Sequence, residues 1–439
     1  MKIGRAFSSS IIWRGIYFIS VLFLNILISR YFKAEGSGQI YYITSVFAFF
    51  VLPLGFCLEV PMGYYLSKKK INETRLAVTA VFWCFIIALP TYLIILFVKH
   101  STAGLKIDFD FVFSAFVFLT GNILISFFVG LFYAKFDYVL PNLLLVSVNV
   151  LLMFFLPGNP LVKTFISDTS YINIYFLSYF LQGGLLAFAF FIKYVKLSDL
   201  GIIPIQMFRS FIVFAFVVLV TNILSYLINR VDYWFVNKYT LSPEYLGNYI
   251  QASKVAQMFY LIPSILASVI FPATASGISK EINEKLQTVS RGIVLFYILG
   301  CLVIAFAGYW LFPFVFGSTF QLMYLPFILL IPGIIAHSVA HLLAAFFSGE
   351  KKLAVGIITN LLTLIVIIAG DILLIPKFGI NGAAIVSSLG YIVLMMALLF
   401  VHQRKYNSRF FDFLIFRKSD MLLLRTFFQQ AIIHKKREL

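Results

Sequence analysis

Apolar residues in this chain fall into twelve long runs separated by short polar stretches. The first six are Phe7 to Ile28, Ile40 to Leu66, Leu76 to Val98, Phe111 to Tyr133, Val139 to Leu156 and Tyr171 to Ile192. A second six follow at Phe211 to Val236, Gly247 to Ile270, Gly292 to Phe316, Gln321 to Phe347, Leu353 to Ile375 and Ile380 to Val401. Each is about 20 residues, the length an α-helix rising 1.5 Å per residue needs to cross a hydrocarbon core of about 30 Å. None alternates with the two-residue period of a strand, and lipid admits only helices or closed barrels. The pattern predicts an all-α integral membrane protein with twelve transmembrane helices.

Composition agrees. Apolar and aromatic residues make up 62% of the 439 and charged residues only 12%, where a soluble chain holds roughly half and a quarter. No soluble stretch is long enough to house an enzyme. The first run has full span length and is interrupted by Arg14, so it reads as a retained helix and not as a cleavable signal peptide. Cys57, Cys84 and Cys301 each sit inside an apolar run with no C-x-x-C or Cys/His spacing, which predicts no disulfide framework and no metal site.

The net charge of +17 would suggest nucleic acid in a soluble protein. In a membrane protein it reports orientation, and no nucleic-acid partner is expected. Of the 34 lysines and arginines, 24 fall on one side of the expected spans, seven on the other and three within them. The rich side includes Lys68-Lys69-Lys70, Lys135, Lys351-Lys352 and nine bases after Val401. Because basic loops are retained in the cytoplasm, both termini are expected there. Residues 403–439 form a basic cytoplasmic tail in which Arg409, Phe410, Phe411, Phe413, Phe416, Arg417 and Lys418 alternate bases with aromatics. That pattern suits an interfacial amphipathic helix or a solvated tail.

The halves repeat. At an offset of 209, Gly38-Gln39-Ile40 aligns with Gly247-Asn248-Tyr249, each after a short loop bearing Glu35 or Glu244. The tight turns Ala134-Lys135-Phe136 and Gly349-Glu350-Lys351 also correspond, each preceding an apolar run that carries asparagine (Asn142 and Asn149; Asn360). An even number of spans per repeat gives both the same orientation. Two six-helix lobes around a central cavity are therefore expected, 1–200 holding spans 1–6 and 201–402 holding spans 7–12. Such lobes suit alternating access; a static pore or scaffold is the plainer alternative.

Ionisable residues inside spans are costly in lipid and therefore candidates for function. Arg14 on span 1 lies three turns from Asn25, which puts both on one face. Arg230, Lys254 and Arg14 offer cationic points for an anionic ligand, and Glu59, Asp232 and Asp371 offer charge balance or a coupling site. Arg230 and Asp232 are two apart and cannot face each other along one helix. The structural alternative pairs Arg14 with Glu59 and lets Arg230, Asp232 and Lys254 snorkel to the outer interface. His337 and His341 share a helical face, but Ser338 stands where H-E-x-x-H needs glutamate, and polar helix packing is the simpler reading. Pro53, Gly55, Pro61, Pro263, Pro272 and Pro332 are expected to mark kinks.

The run from Asn222 to Pro263, with Asp232 late in span 7 and Gly247-x-Tyr249 opening span 8, resembles the polysaccharide transporter family of the multidrug and oligosaccharidyl-lipid exporter superfamily. Ile375-Pro376, Gly379, Gly382, Ala383 and Ala384, with Ser29-Arg30 and Gly36-Ser37-Gly38 in the first half, extend the resemblance. Asp371 departs from it, standing where the family often has asparagine. The resemblance implies a Wzx-like flippase that moves undecaprenyl-pyrophosphate-linked O-antigen or capsule repeat units across a bacterial inner membrane. Its partners would be the lipid-linked oligosaccharide, membrane lipids and other polysaccharide-assembly proteins. No phosphate-cradling G-x-x-x-x-G-K-[ST] sequence occurs, so no cofactor is expected and a proton or sodium gradient would drive transport. Substrate contacts would fall to Arg14, Asn25, Arg230 and Lys254. A drug or metabolite antiporter of the same superfamily is the nearest alternative; lipid II flippases usually carry two further spans. A membrane-embedded polymerase or acyltransferase is opposed by the short outer loops, Lys99 to Asp110 and Pro157 to Ser170, which cluster no acid/base groups.

Overall fold

The computed structural model describes residues 3–101, 109–201, 203–240, 242–275, 279–417 and 420, and among them there is no strand. The expected loop from Lys99 to Asp110 lies partly outside the described residues, as does the tail beyond Arg417 apart from Asp420. Thirteen α-helices follow one another among the described residues: α1 (Ile3–Gly55), α2 (Glu59–Ser67), α3 (Glu73–Ile86), α4 (Ala88–Ser101), α5 (Phe111–Ala134), α6 (Val139–Phe154), α7 (Asp168–Tyr194), α8 (Ile205–Tyr239), α9 (Pro243–Met258), α10 (Leu261–Ala275), α11 (Ser279–Phe316), α12 (Tyr324–Gly349) and α13 (Leu353–Tyr406).

Seven of the described helices are long and apolar enough to cross a membrane, and nine if the bent pairs α3–α4 and α9–α10 count as one span each. Two of the seven are helical hairpins. α1 breaks at Lys33 (φ 58°) and α13 at Gly379 (φ 55°). Residues nearly equidistant from each break meet: Tyr41 donates to the Asn25 carbonyl at 3.0 Å, and Gly390 faces Ile367. Counting both arms of each hairpin, and the 16-residue α6, yields the twelve spans expected from the apolar runs.

Each interruption exposes backbone groups that lipid cannot satisfy, so partners gather at the breaks. After Lys33, the Ala34 N–H donates to Thr319 Oγ1 at 3.0 Å. Between α1 and α2, Phe56 and Cys57 both hold left-handed backbone, and the Trp83 indole donates to the Leu54 carbonyl at 2.8 Å. Pro53 and Gly55 thus mark a break in span 2, as expected. The 40° bend between α9 and α10 precedes Pro263, and the 44° bend between α3 and α4 precedes Pro90, a kink not singled out from the sequence. Pro332 lies within a continuous α12.

The repeat is visible in the basic turns. Phe136 and Lys351 both adopt left-handed backbone, with φ of 59° and 62°. Asp137 N–H bonds to Phe132 O at 3.0 Å, and Lys352 N–H to Phe347 O at 2.9 Å. These six-to-one bonds are Schellman caps, and Lys69 (φ 53°) with Lys70 N–H to Tyr65 O at 3.0 Å builds a third.

The chain divides into two compact units. Unit 1 comprises Met1–Tyr226 with Ser242–Gly247 and Val315–Thr319; unit 2 comprises Leu227–Leu241, Asn248–Phe314 and Phe320–Leu439. In unit 1, Phe47, Phe118 and Phe176 pack ring to ring, at 5.6 to 5.9 Å between centroids. Asn149 donates to Ser20 at 2.9 Å and Gln182 to Asn149 at 3.1 Å, tying three spans together. Gly38 and Gly247, the glycines paired by the repeat, meet there: a Cβ on Gly38 would lie 2.5 Å from Gly247 Cα.

In unit 2, the described part of the tail combines exposed residues such as Phe411 and Ile415 with residues packed against the helices. Phe413 is fully buried, and its carbonyl accepts from Ser290 at 2.9 Å. Arg291 of α11 grips Asp420 with two bonds of 2.7 and 2.6 Å, which holds the Asp420 carboxyl below its usual range.

The α13 hairpin depends on the absence of a side chain at Gly382, where a Cβ would stand 2.5 Å from the Leu374 carbonyl oxygen. Gly382→Val is expected to destabilise the protein by roughly 1–3 kcal/mol through overpacking. Thermal unfolding of the detergent-purified variant checks this, and an unchanged midpoint would contradict it.

Candidate functional site

Four of the residues singled out from the sequence gather in unit 2: Arg230 on α8, Asp232 on α8, Lys254 on α9 and Asp371 on α13. Arg230 lies one turn before Tyr233, with its guanidinium 5.1 Å from the Tyr233 ring centroid. It donates to Tyr233 Oη at 2.6 Å and to Gln257 Oε1 on α9 at 2.8 Å. Gln257 in turn donates to Ser253 at 3.2 Å. Lys254, on the same stretch of α9, is within electrostatic reach of Arg230. Two bases therefore stand together in the spans, each half-buried, where either alone is costly.

Asp232 points elsewhere, as a two-residue offset requires. It is 3% exposed. One carboxylate oxygen accepts the Tyr233 N–H at 2.9 Å. The other accepts the Tyr249 hydroxyl and the Ser387 hydroxyl at 3.0 Å, while Tyr249 and Ser387 lie 3.2 Å apart. Asp232 is thus a carboxylate held by α9 and by the second arm of α13. It does not snorkel.

Asp371 comes from the first arm of α13, is fully buried, and has no hydrogen-bond partner for either oxygen among the described residues. Asp232 is the charged group that acts on it, and Asp371 in turn acts on Tyr249. Asp232, Tyr249 and Ser387 make an oxygen-only set, with the Asp371 carboxyl within electrostatic reach of it. Such a set suits a proton or a hard cation and offers nothing to a soft metal. Among the described residues no three His, Cys, Asp or Glu side chains gather.

His337 and His341 are used for packing. His337 stacks on Tyr260 at 4.1 Å and meets Tyr391 edge-on at 4.8 Å, with His341 6.0 Å away.

In unit 1 the candidates lie apart. Arg14 is exposed along α1, its guanidinium 4.8 Å from the centroid of the Tyr133 ring. Tyr133 exchanges hydrogen bonds with Asn142 at 3.0 to 3.2 Å. Among the described residues Arg14 makes no ion pair, so pairing with Glu59 is not formed. Glu59 opens α2 just after the break in span 2 and hydrogen-bonds with Ser126 of α5. The Asn25 amide donates to the Val21 carbonyl of its own helix at 2.8 Å.

Sequence reasoning missed Ser387, Gln257 and Tyr133. Tyr249 stood out only as part of a glycine-tyrosine motif. A lone serine or glutamine in an apolar run carries no periodic signal.

A cluster of half-buried bases and buried acids on a twelve-span helical scaffold defines a multi-pass membrane protein with a transporter fold. Residues 180–325 match the family model described as polysaccharide biosynthesis protein. The chain is similar in structure to the lipid II flippase MurJ in an inward closed conformation, with a TM-score of 0.72, 16% identity, and coverage of 92% of this chain and 89% of that one. It is similar to a mutant of the Vibrio cholerae MATE transporter VcmN, at TM-score 0.65 and 15% identity, covering 93% and 98%. A MOP superfamily transporter from Pyrococcus furiosus matches at TM-score 0.64 and 14% identity, covering 91% and 95%. These likenesses establish the fold of the superfamily named by the sequence resemblance, and the matched proteins are flippases and transporters, not enzymes. No curated protein matches the chain by sequence.

The two acids should respond oppositely to neutralisation. Asp232→Asn weakens charge-assisted hydrogen bonds worth about 1.5–3 kcal/mol each and is expected to lower the unfolding midpoint of the purified protein. Asp371→Asn removes a buried, unpartnered carboxyl group whose ionisation is costly and is expected to raise it. Equal shifts of the same sign would contradict this geometry.

Proposed function

We propose that this protein is a flippase that moves undecaprenyl-pyrophosphate-linked oligosaccharide repeat units of O-antigen or capsule across the bacterial inner membrane by alternating access. The observation that carries the proposal is the overlap of two features: the segment matching the polysaccharide biosynthesis model contains Arg230, Asp232, Tyr249 and Lys254. A pyrophosphate is attracted to such bases, and a guanidinium matches its oxygens in pairs while an ammonium acts as a point charge. Arg14, whose charge is not offset by an ion pair among the described residues, supplies a further contact in unit 1. The lipid tail stays in the bilayer throughout, which limits the cost of transfer to the head group.

Coupling is assigned to Asp232 and Asp371, with Glu59 as charge balance. Two carboxylates within electrostatic reach of each other in a water-poor site do not readily hold two negative charges at once, so a proton or a sodium ion is taken up or released as the site is exposed to one face and then the other. Both termini lie in the cytoplasm in this proposal, consistent with the basic loops. The likeness to MATE transporters favours a second reading, drug or metabolite antiport. Overexpression that leaves drug susceptibility unchanged weighs against it.

In a cell lacking the protein, lipid-linked repeat units should accumulate facing the cytoplasm and surface polysaccharide should be lost. Labelling from the outer face measures this. Repeat units that still reach the outer face at the normal rate would contradict the flippase, and altered polysaccharide chain length without loss would favour a polymerase.

A further inference from the structure

On the basic side of unit 1, the turn between α2 and α3 and the turn between α5 and α6 enclose a cavity of about 490 Å³. Its walls include Ser67, Lys69, Asn72, Glu73, Lys135 and Phe136. Ser67 and Glu73 end and begin helices of adjacent spans, so the cavity lies at the boundary between hydrocarbon and water, the level at which lipid head groups lie. Leu66 and Ile71 close it on the inner side and are buried, while Phe136 is 62% exposed at its lip, where an acyl chain would begin.

Both turns are built to present their bases. Lys69 and Phe136 occupy left-handed backbone that glycine would adopt more cheaply. The result turns Lys69 outward and places Lys135 against Glu73, with Nζ 3.1 Å from the carboxylate oxygen. Lys68, Lys69 and Lys70 are all exposed, and among the described residues Lys68 and Lys69 form no ion pair. The Asn72 oxygen accepts the Arg75 N–H at 3.0 Å, which leaves its amide N–H₂ as a donor for a ligand. Glu73 is the sole acid among the cavity's lining residues, and its ion pair is with Lys135.

We propose that this cavity is a site for the phosphate head group of an anionic phospholipid, with Lys69 and Lys135 as the phosphate contacts and Phe136 against the first acyl carbons. A zwitterionic head group brings its own cation into a basic cavity and is disfavoured. A glycerol-linked phosphate brings only the anion. Basic pockets between spans at head-group level attract anionic lipid through the same charge that steers their loops to one face. The proposal does not depend on what the protein transports.

The test is native mass spectrometry of the full chain in detergent, titrated with phosphatidylglycerol, phosphatidylcholine or inorganic phosphate. The wild type should bind phosphatidylglycerol at least about tenfold more tightly than phosphatidylcholine, as two lysine contacts at head-group level would give. The double variant Lys69→Gln with Lys135→Gln should lose about tenfold in phosphatidylglycerol affinity, and Glu73→Gln should gain affinity. The gain keeps the proposal testable even if the double variant folds poorly. Equal binding of the two lipids, unchanged affinity in both variants, or displacement of the lipid by millimolar inorganic phosphate, which would mark a small-anion site, each overturns it.

Discussion

Hydrocarbon offers no hydrogen-bond partner, so every polar group this chain carries into the bilayer must be satisfied from within the chain. The fold follows from that constraint more than from attraction between helices. Where a helix breaks, a specific donor or acceptor stands at the break: Thr319 for the Ala34 N–H, Trp83 for the Leu54 carbonyl. Where amides enter a span, they find one another, as Ser20, Asn149 and Gln182 do. At the basic ends of α2, α5 and α12, Schellman turns close the last carbonyls even though the left-handed position is filled by lysine or phenylalanine, not glycine.

Against that background a few buried side chains, Tyr171, Gln251, His337 and Asp371 among them, keep polar atoms without a partner among the described residues, and Asp371 is the carboxylate in that group. Asp232 has three hydrogen bonds, from two other helical segments and from its own backbone. Asp371, fully buried on the adjoining arm of α13, has none among the described residues. A chain that satisfies its backbone so thoroughly elsewhere retains an unpartnered carboxylate within electrostatic reach of another, and stability is commonly traded in this way at sites that must change state. Arg230 shares α8 with Asp232, and Lys254 shares α9 with Tyr249, while Asp371 comes from α13.

The spans were legible in the sequence because a hydrophobic run of membrane length has few physical uses besides crossing lipid. Eleven of them recur in long, bent or hairpin helices, and α6 is the shorter twelfth. The repeat was legible where turn chemistry is local, as in the matched caps at Phe136 and Lys351. The partners of the buried charges were not. Ser387 and Tyr249 reach Asp232 from segments 155 and 17 residues away, and nothing in local pattern encodes such a meeting. Asn25, which helical spacing puts on the face of Arg14, bonds to the carbonyl one turn back, a local contact open to a polar residue inside a helix.

The central claim is that Asp371, beside Asp232, couples an ion gradient to movement of a lipid-linked pyrophosphate. It is tested most directly in proteoliposomes containing a fluorescent undecaprenyl-pyrophosphate-linked oligosaccharide, by following its translocation with and without an imposed proton or sodium gradient. The wild type should be accelerated by one of the two gradients, and Asp371→Asn should fold and bind the lipid but lose that acceleration. An Asp371→Asn protein that responds to the gradient as the wild type does would contradict the account.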